Sequence, residues 1–314
     1  MTDRVTICEC FARDGLQHEE ADVPAEVKIG LIEAFAAAGF RRVEATSYSN
    51  PARVPAFRDA GEVLAGLTRT EGVAYKATCP NPRAVQRALA DLDAGHGATE
   101  LSLLVSATES HTERNMRTTR ERQWTAVAEM VRLAAGRFRL VGVVSVAFGC
   151  PFEGRVDPEV VTEDVARFAD LGVDMVTLGD TTGLATPSTV KDMFRRVERT
   201  RAGVPVVAHF HNTRGSGLAN CVAALEAGCR DFDSSFGGVG GHPARIQYGE
   251  GLTGNVCTED LVNLLESEGV GTGLDLDLVM AASRRCEEAL GRRLYSMVAR
   301  AGFGPAGRKE FQNA

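Results

Sequence analysis

The sequence is notable first for what it lacks. No run approaches the ~18 apolar residues needed to span a membrane, so no membrane role is expected. The N-terminus, MTDRVTICECFARDG, reaches strand-like sequence at once, with no apolar signal core or Arg/Ser-rich transit segment; a cytoplasmic location is expected. Basic residues are not in excess: 35 Lys and Arg face 42 Asp and Glu, a net charge of −7. That balance argues against a nucleic-acid or anionic-membrane surface, both of which need a concentrated basic face. It leaves an anionic small molecule open, because a few local arginines can bind one. The 8 cysteines are scattered without a C-x-x-C pair. Cys79, Cys221, Cys229 and Cys286 lie among apolar residues, so small buried hydrophobes are expected rather than a disulfide framework.

What is present is an ordinary globular composition, 44% hydrophobic and 25% charged, over a length that suits one large α/β domain. A join between apolar helix and apolar strand recurs in IEAFAAAGFRRVEAT, RALADLDAGHGATELSLLV, ARFADLGVDMVTLGD and VAALEAGCRDFDSS. Each helix-period stretch stops at a glycine (Gly39, Gly95, Gly172, Gly228) able to take the left-handed cap conformation. Asp157-Pro158 and Thr186-Pro187 mark helix starts, a capping side chain before a proline at the first helical position. Helices are predicted near Pro24–Ala38, Pro158–Asp170, Pro187–Thr200 and Gly217–Ala227. Strands are predicted at Val5–Glu9, Arg42–Ala45, Ala74–Thr78, Glu100–Val105, Leu140–Val146, Met175–Leu178, Val204–Phe210 and Asp231–Ser235. Eight strands alternating with helices fit a (β/α)₈ barrel, here spanning about residues 1–254 with closing and C-terminal helices over about 255–314. A doubly wound open sheet is the rival. No linker-like stretch divides the chain, so residues 1–314 are read as one domain.

Catalysis in such a barrel is expected at the C-terminal ends of the strands. Arg13 and Asp14 follow the first strand, Glu44 ends the second, Asp180 the sixth, and His209-x-His211 the seventh. On a strand, residues two apart point the same way, so both imidazoles can address one ion. A hydrogen-bonded histidine pair is the plain alternative. Two at period two, in a chain with only 6 His, favour a metal, and Asp14 supplies the charge that neutral imidazoles lack. A mixed N/O set with open positions suits catalytic Mg²⁺, Mn²⁺ or a related divalent ion. Arg13 could stabilise a developing oxyanion or enolate, or be a surface arginine. Glu44 and Asp180 could hold that guanidinium or act as acid/base groups, or simply form ion pairs. The glycine-rich stretch Gly237–Gly241 has no dinucleotide-binding unit around it and reads as a mobile active-site loop.

These motifs together resemble the HMG-CoA lyase branch of the metal-dependent barrel lyases and synthases. The resemblance covers nearly the whole chain: RDGLQ (Arg13–Gln17), VEATS (Val43–Ser47), FGCPFEG (Phe148–Gly154), LGDTTG (Leu178–Gly183), HFHNTRGSGLAN (His209–Asn220), GGVGG (Gly237–Gly241) and TGNVCTEDLV (Thr253–Val262). It implies a (β/α)₈ barrel with Asp14, His209, His211 and Asn255 as ligands of Mg²⁺ or Mn²⁺. It implies Arg13 as the catalytic arginine, Glu44 as the carboxylate orienting it, and Asp180 in proton transfer. The implied reaction is retro-Claisen cleavage of a 3-hydroxy-acyl-CoA, 3-hydroxy-3-methylglutaryl-CoA or similar, by a cytoplasmic homo-oligomer, a dimer in expectation.

The chain departs from the family where a catalytic cysteine directly follows the glycine run. His242 stands there, and histidine can deliver a proton near neutral pH; Arg245 in the same loop adds a cation. The departure motivates a related lyase or Claisen-type synthase with another substrate, such as citramalyl-CoA, or a non-catalytic barrel that binds metal and CoA esters. A non-haem iron oxygenase is a further rival, although its usual H-x-D spacing is absent.

Overall fold

In a computed structural model of the chain, which describes residues 4–200, 203–241 and 254–304, the apolar segments form eight strands. They are β1 (Thr6–Glu9), β2 (Arg42–Ser47), β3 (Ala74–Cys79), β4 (Glu100–Ser106), β5 (Arg139–Ser145), β6 (Met175–Asp180), β7 (Val206–Phe210) and β8 (Asp231–Ser234). All pair in parallel and in sequence order. β8 pairs back onto β1 through Thr6–Asp231 to Glu9–Ser234, closing the barrel. That closure excludes the open sheet.

Helices α1 (Ala25–Ala37), α2 (Ala60–Gly66) and α3 (Pro82–Asp93) follow the first three strands. α4 (Glu109–Met116) and α5 (Arg120–Ala134) both follow β4. α6 (Pro158–Asp170), α7 (Pro187–Thr200) and α8 (Gly217–Glu226) follow β5, β6 and β7. α9 (Thr258–Ser267), α10 (Leu276–Leu290) and α11 (Val298–Ala301) come after the barrel has closed. The expected caps are in place: the Glu159 amide donates to Asp157 Oδ1 at 3.0 Å. The four glycines that end the predicted helices have φ between 81° and 102°, where a Cβ would be strained. No helix among the described residues is long and apolar enough to cross a membrane.

Strand alternation sorts the side chains into two environments. Val43, Tyr75, Leu101, Val176, Ala208 and Phe232 are buried in the main core with the helices. Phe35 of α1 shows how the seam is sealed, because its ring stacks on Phe236 at 5.0 Å and meets Phe11 and Phe40 edge-on. Burying such a ring is worth about 1.5–3 kcal/mol, and Phe35→Ala would cost about 3–5 kcal/mol. A separate small apolar cluster, Val141, Met175 and Val207 with Val143 against it, comes from the other strand face. The remaining residues of that face are largely polar, and they build the site.

Candidate active site

The first strand leads directly into a tight five-residue turn, Phe11–Gly15, closed by a bond from the Gly15 amide to the Cys10 carbonyl at 3.1 Å. Such i→i+5 turns often mark functional sites. Phe11 and Ala12 are buried and anchor the turn, while Arg13 and Asp14 line a cavity of about 1840 Å³ at the barrel mouth. His209 of β7 and His211, the bridge residue just after it, line the same cavity, as do Glu44 and Lys76.

Asp14, His209 and His211 each offer one atom to a cluster in which all three lie within 4.8 Å of one another. The two imidazole Nε2 atoms are 3.3 Å apart, and Asp14 Oδ2 is 3.9 and 3.8 Å from them. Asn255 joins through an isolated bridge to His211 and donates its amide to Asp14 Oδ2 at 2.7 Å and to the Val239 carbonyl at 3.0 Å. Its Oδ1 is buried without a partner, an unmet acceptor that a cation would satisfy. Gly240 (φ 150°) makes room for this side chain, since a Cβ there would collide with Asn255 Nδ2. The donor set, a carboxylate, two imidazoles and an amide oxygen, therefore fits a divalent metal.

Electrostatics agree with that use. Burial alone would raise the Asp14 carboxyl, but Arg13, then His209 and His211, outweigh it and hold the group well below its usual range. Burial, reinforced by His209, pushes His211 down to about 3, leaving a neutral ring with a free lone pair. His209 is lowered by burial but raised further by Asp233 and Asp14, so protons compete with any metal there as pH falls. Asp233 Oδ2 is 3.2 Å from His209 Nδ1. A carboxylate behind an imidazole in this way fixes the tautomer that leaves Nε2 free.

Arg13 is held from two sides: Nη1 lies 2.8 Å from Asp14 Oδ1 and Nη2 lies 2.8 Å from Glu44 Oε1. Glu44 Oε1 also accepts from Thr78 Oγ1 at 2.9 Å. Lys76 Nζ lies 3.6 Å from Glu44 and 3.7 Å from Asp233. Burial would lower this ammonium, but Asp233, with Cys8 and Glu44, outweighs it and holds it above its ordinary value. Burial likewise works against Asp233, yet Lys76 and His209 keep it well below the usual carboxylate range.

The structure thus brings together Arg13, Asp14, Glu44, His209, His211 and Asn255. It does not bring Asp180 to the cavity, which Gly179 and Thr181 line instead. Asp180 Oδ1 accepts from the amides of Leu184 and Ala185 at 2.8 and 3.1 Å, and burial raises its carboxyl to about 6. His242 and Arg245 lie outside the described residues. Lys76 and Asp233 escaped sequence reasoning; the available sign was a charge at an inward position inside AYKATC and DFDS.

A model of the HMGL-like family matches residues 4–285. The mitochondrial hydroxymethylglutaryl-CoA lyase of Bos taurus is 38% identical over 299 residues, covering 95% of this chain and 89% of that protein. The cytoplasmic 3-hydroxy-3-methylglutaryl-CoA lyase of Mus musculus is 36% identical over 304 residues, covering 96% and 86%. Among solved structures, an HMG-CoA lyase from Acinetobacter baumannii in complex with coenzyme A and 3-methylmalate is 39% identical, with a TM-score of 0.89 and 96% of each chain covered. The family uses a divalent metal. Likeness at this identity over this share of both chains leaves one assignment: the chain belongs to the HMGL-like family and is a carbon–carbon lyase of the HMG-CoA lyase kind.

Proposed function

We propose that the chain cleaves 3-hydroxy-3-methylglutaryl-CoA or a near analogue to an acyl-CoA and a keto acid, with Mg²⁺ or Mn²⁺ held by Asp14, His209, His211 and Asn255. The observation that carries this is the Arg13 guanidinium clamped between Asp14 and Glu44 beside the metal-ligand cluster. When bound, the divalent ion supplies Lewis acidity that lowers the pKa of a substrate hydroxyl.

The hydroxyl loses its proton, its oxygen forms the new ketone, and the C2–C3 bond breaks. That bond's electron pair passes into the thioester enolate. Arg13 faces the enolate oxygen with a cation whose direction Glu44 fixes. Protonation of the enolate carbon then completes the acyl-CoA. We assign that proton to His242, which lies outside the described residues. Asp180 belongs to the same proposal as a positioning residue, since its Oδ1 accepts from the amides of the turn at Leu184 and Ala185. Arg53, Arg117 and Arg122 on the cavity rim are exposed cations suited to the phosphates of coenzyme A. The barrel and its C-terminal helices are taken as one catalytic unit, working in the cytoplasm as a homodimer; the mouse cytoplasmic relative supports that location.

The test is a mass-spectrometric screen of 3-hydroxy-acyl-CoAs with Mg²⁺ or Mn²⁺, with and without dioxygen. Oxygen-independent release of acetyl-CoA and acetoacetate from 3-hydroxy-3-methylglutaryl-CoA is expected, and no cleavage of any thioester would sink the proposal in favour of a binding barrel. A second substrate is favoured by the 3-methylmalate in the Acinetobacter structure. Cleavage of 3-methylmalyl-CoA to propanoyl-CoA and glyoxylate, faster than that of the glutaryl compound, would decide for it.

A further inference from the structure

Lys76 is a buried cation lining the cavity that the reaction above does not use. It is on the inward face of β3, beside Glu44 in register, with Thr78 two residues on. Among the described residues its ammonium makes no hydrogen bond; the carboxylates at 3.6 and 3.7 Å are ion-pair neighbours beyond hydrogen-bond length. Those oxygens are already engaged. Glu44 Oε1 accepts from Arg13 and Thr78, and Asp233 Oδ2 faces His209 Nδ1. The other oxygens of the same two carboxylates, Glu44 Oε2 and Asp233 Oδ1, are buried without partners, so the ammonium is held by charge and stays able to donate to an acceptor that enters the cavity.

Two hydroxyls add donors to the same cavity. Ser102 Oγ of β4 and Thr177 Oγ1 of β6 are buried without partners and line the same cavity as Lys76. Beside them in the ladder stand apolar residues, Val141 paired with Ser102 and Val207 with Thr177, part of the small cluster with Met175 and Val143. The charges point the same way. Three buried carboxylates (Asp14, Glu44, Asp233) face two cations, the half-buried Arg13 and the buried Lys76; a divalent ion would leave one positive charge in excess, which a single substrate carboxylate would cancel.

We propose that Lys76, Ser102 and Thr177 form a carboxylate subsite in this cavity that takes the acid end of the substrate. It rests on the acyl-CoA lyase reading above and adds to it the residues that select a thioester whose acyl chain ends in a carboxylate. Lys76 then acts in binding and selection.

The experiment uses two thioesters without the 3-hydroxyl, so that neither can be cleaved: glutaryl-CoA, which ends in a carboxylate, and butyryl-CoA, which does not. Calorimetry with Mg²⁺ present measures both on the full chain. The wild type is expected to prefer glutaryl-CoA by ~10–100-fold, the worth of one or two charge-assisted hydrogen bonds. Lys76→Met is expected to abolish that preference while leaving butyryl-CoA binding unchanged. If Lys76 only braces Glu44 and Asp233, Lys76→Met weakens both thioesters alike and the preference survives; that result overturns the subsite. The near-isosteric double variant Ser102→Ala, Thr177→Val keeps the test decisive should Lys76→Met not fold, since an undiminished preference there also overturns it. A wild type that binds both thioesters equally refutes the subsite and leaves the lyase reading standing. A wild type that binds neither removes both.

Discussion

Asp14 and Asp233 at the barrel mouth, and Glu9 and Glu259 beneath the glycine turn, are four buried acids in opposite electrostatic states. Asp14 and Asp233 have cations within reach, Arg13 for one and Lys76 with His209 for the other, and both are held below the usual carboxylate range despite burial. Glu9 and Glu259 have no cation within ion-pair distance among the described residues. Burial dominates there, raising Glu9 to about 8 and lifting Glu259 as well. Their oxygens instead bracket backbone: Glu9 accepts from the amides of Phe11 and Phe236 at 2.9 and 3.1 Å, and Glu259 from Gly237 at 2.9 Å. Equal burial therefore leads to opposite shifts, and the partner decides which. Acids held low by cations hold the groups that do chemistry; acids raised by burial hold the turn that frames them.

The largest expected effect breaks the first group. Arg13→Met should lower kcat by ~10²–10³-fold, because the enolate oxygen loses its cation, with a small change in melting temperature. Steady-state cleavage and thermal melts check this. Glu9→Gln should leave turnover near wild type, so comparable activity losses in the two variants would erase the distinction. A smaller effect is expected from Asp233→Asn. His209 would lose the carboxylate that fixes its tautomer, and metal affinity should fall ~10–100-fold. Calorimetric titration with Mn²⁺ measures it, and unchanged affinity would show that His209 needs no such support.

How much of this could be read from residues alone follows from which interactions are local. Helix ends were legible because Gly39 and Gly172 end their helices through their own backbone freedom, and Asp157 caps its helix within two residues. Closure of the barrel was not, since it depends on β1 meeting β8 across some 225 residues. Arg13, Asp14, His209 and His211 were legible because turn and period-two spacing place them at strand ends. Asp180 shows the limit of that signal. The polar run Gly179-Asp180-Thr181 shows that a strand has reached its end, but not which parity faces the axis, and here Gly179 and Thr181 line the cavity. Lys76 and Asp233 stayed hidden because a charge inside a strand gains meaning only when its partner on the neighbouring strand is known, and those partners come from β2 and β7.

The smallest effect sharpens the comparison in stability rather than activity. Glu9 has a folded-state pKa of about 8 against an ordinary 4.5, raised first by burial and only partly offset by its hydrogen bonds with Thr258, Phe11 and Phe236. The folded chain thus binds this proton more tightly than the unfolded chain. Its contribution to stability is fully present below about pH 4.5, declines as pH rises, and is lost above about pH 8. The slope between those limits is at most ~1.4 kcal/mol per pH unit. Glutamine reproduces the protonated acid: its carbonyl oxygen can accept from the two backbone amides and its NH₂ can donate to Thr258 Oγ1. Glu9→Gln should therefore match wild type in urea midpoint near pH 5 and exceed it increasingly toward pH 8. Other titrating groups tilt both curves alike, so the difference between them isolates Glu9. Parallel curves from pH 5 to 8 would mean that Glu9 is ionised in the folded chain, and that a buried acid here needs no cation to carry its charge.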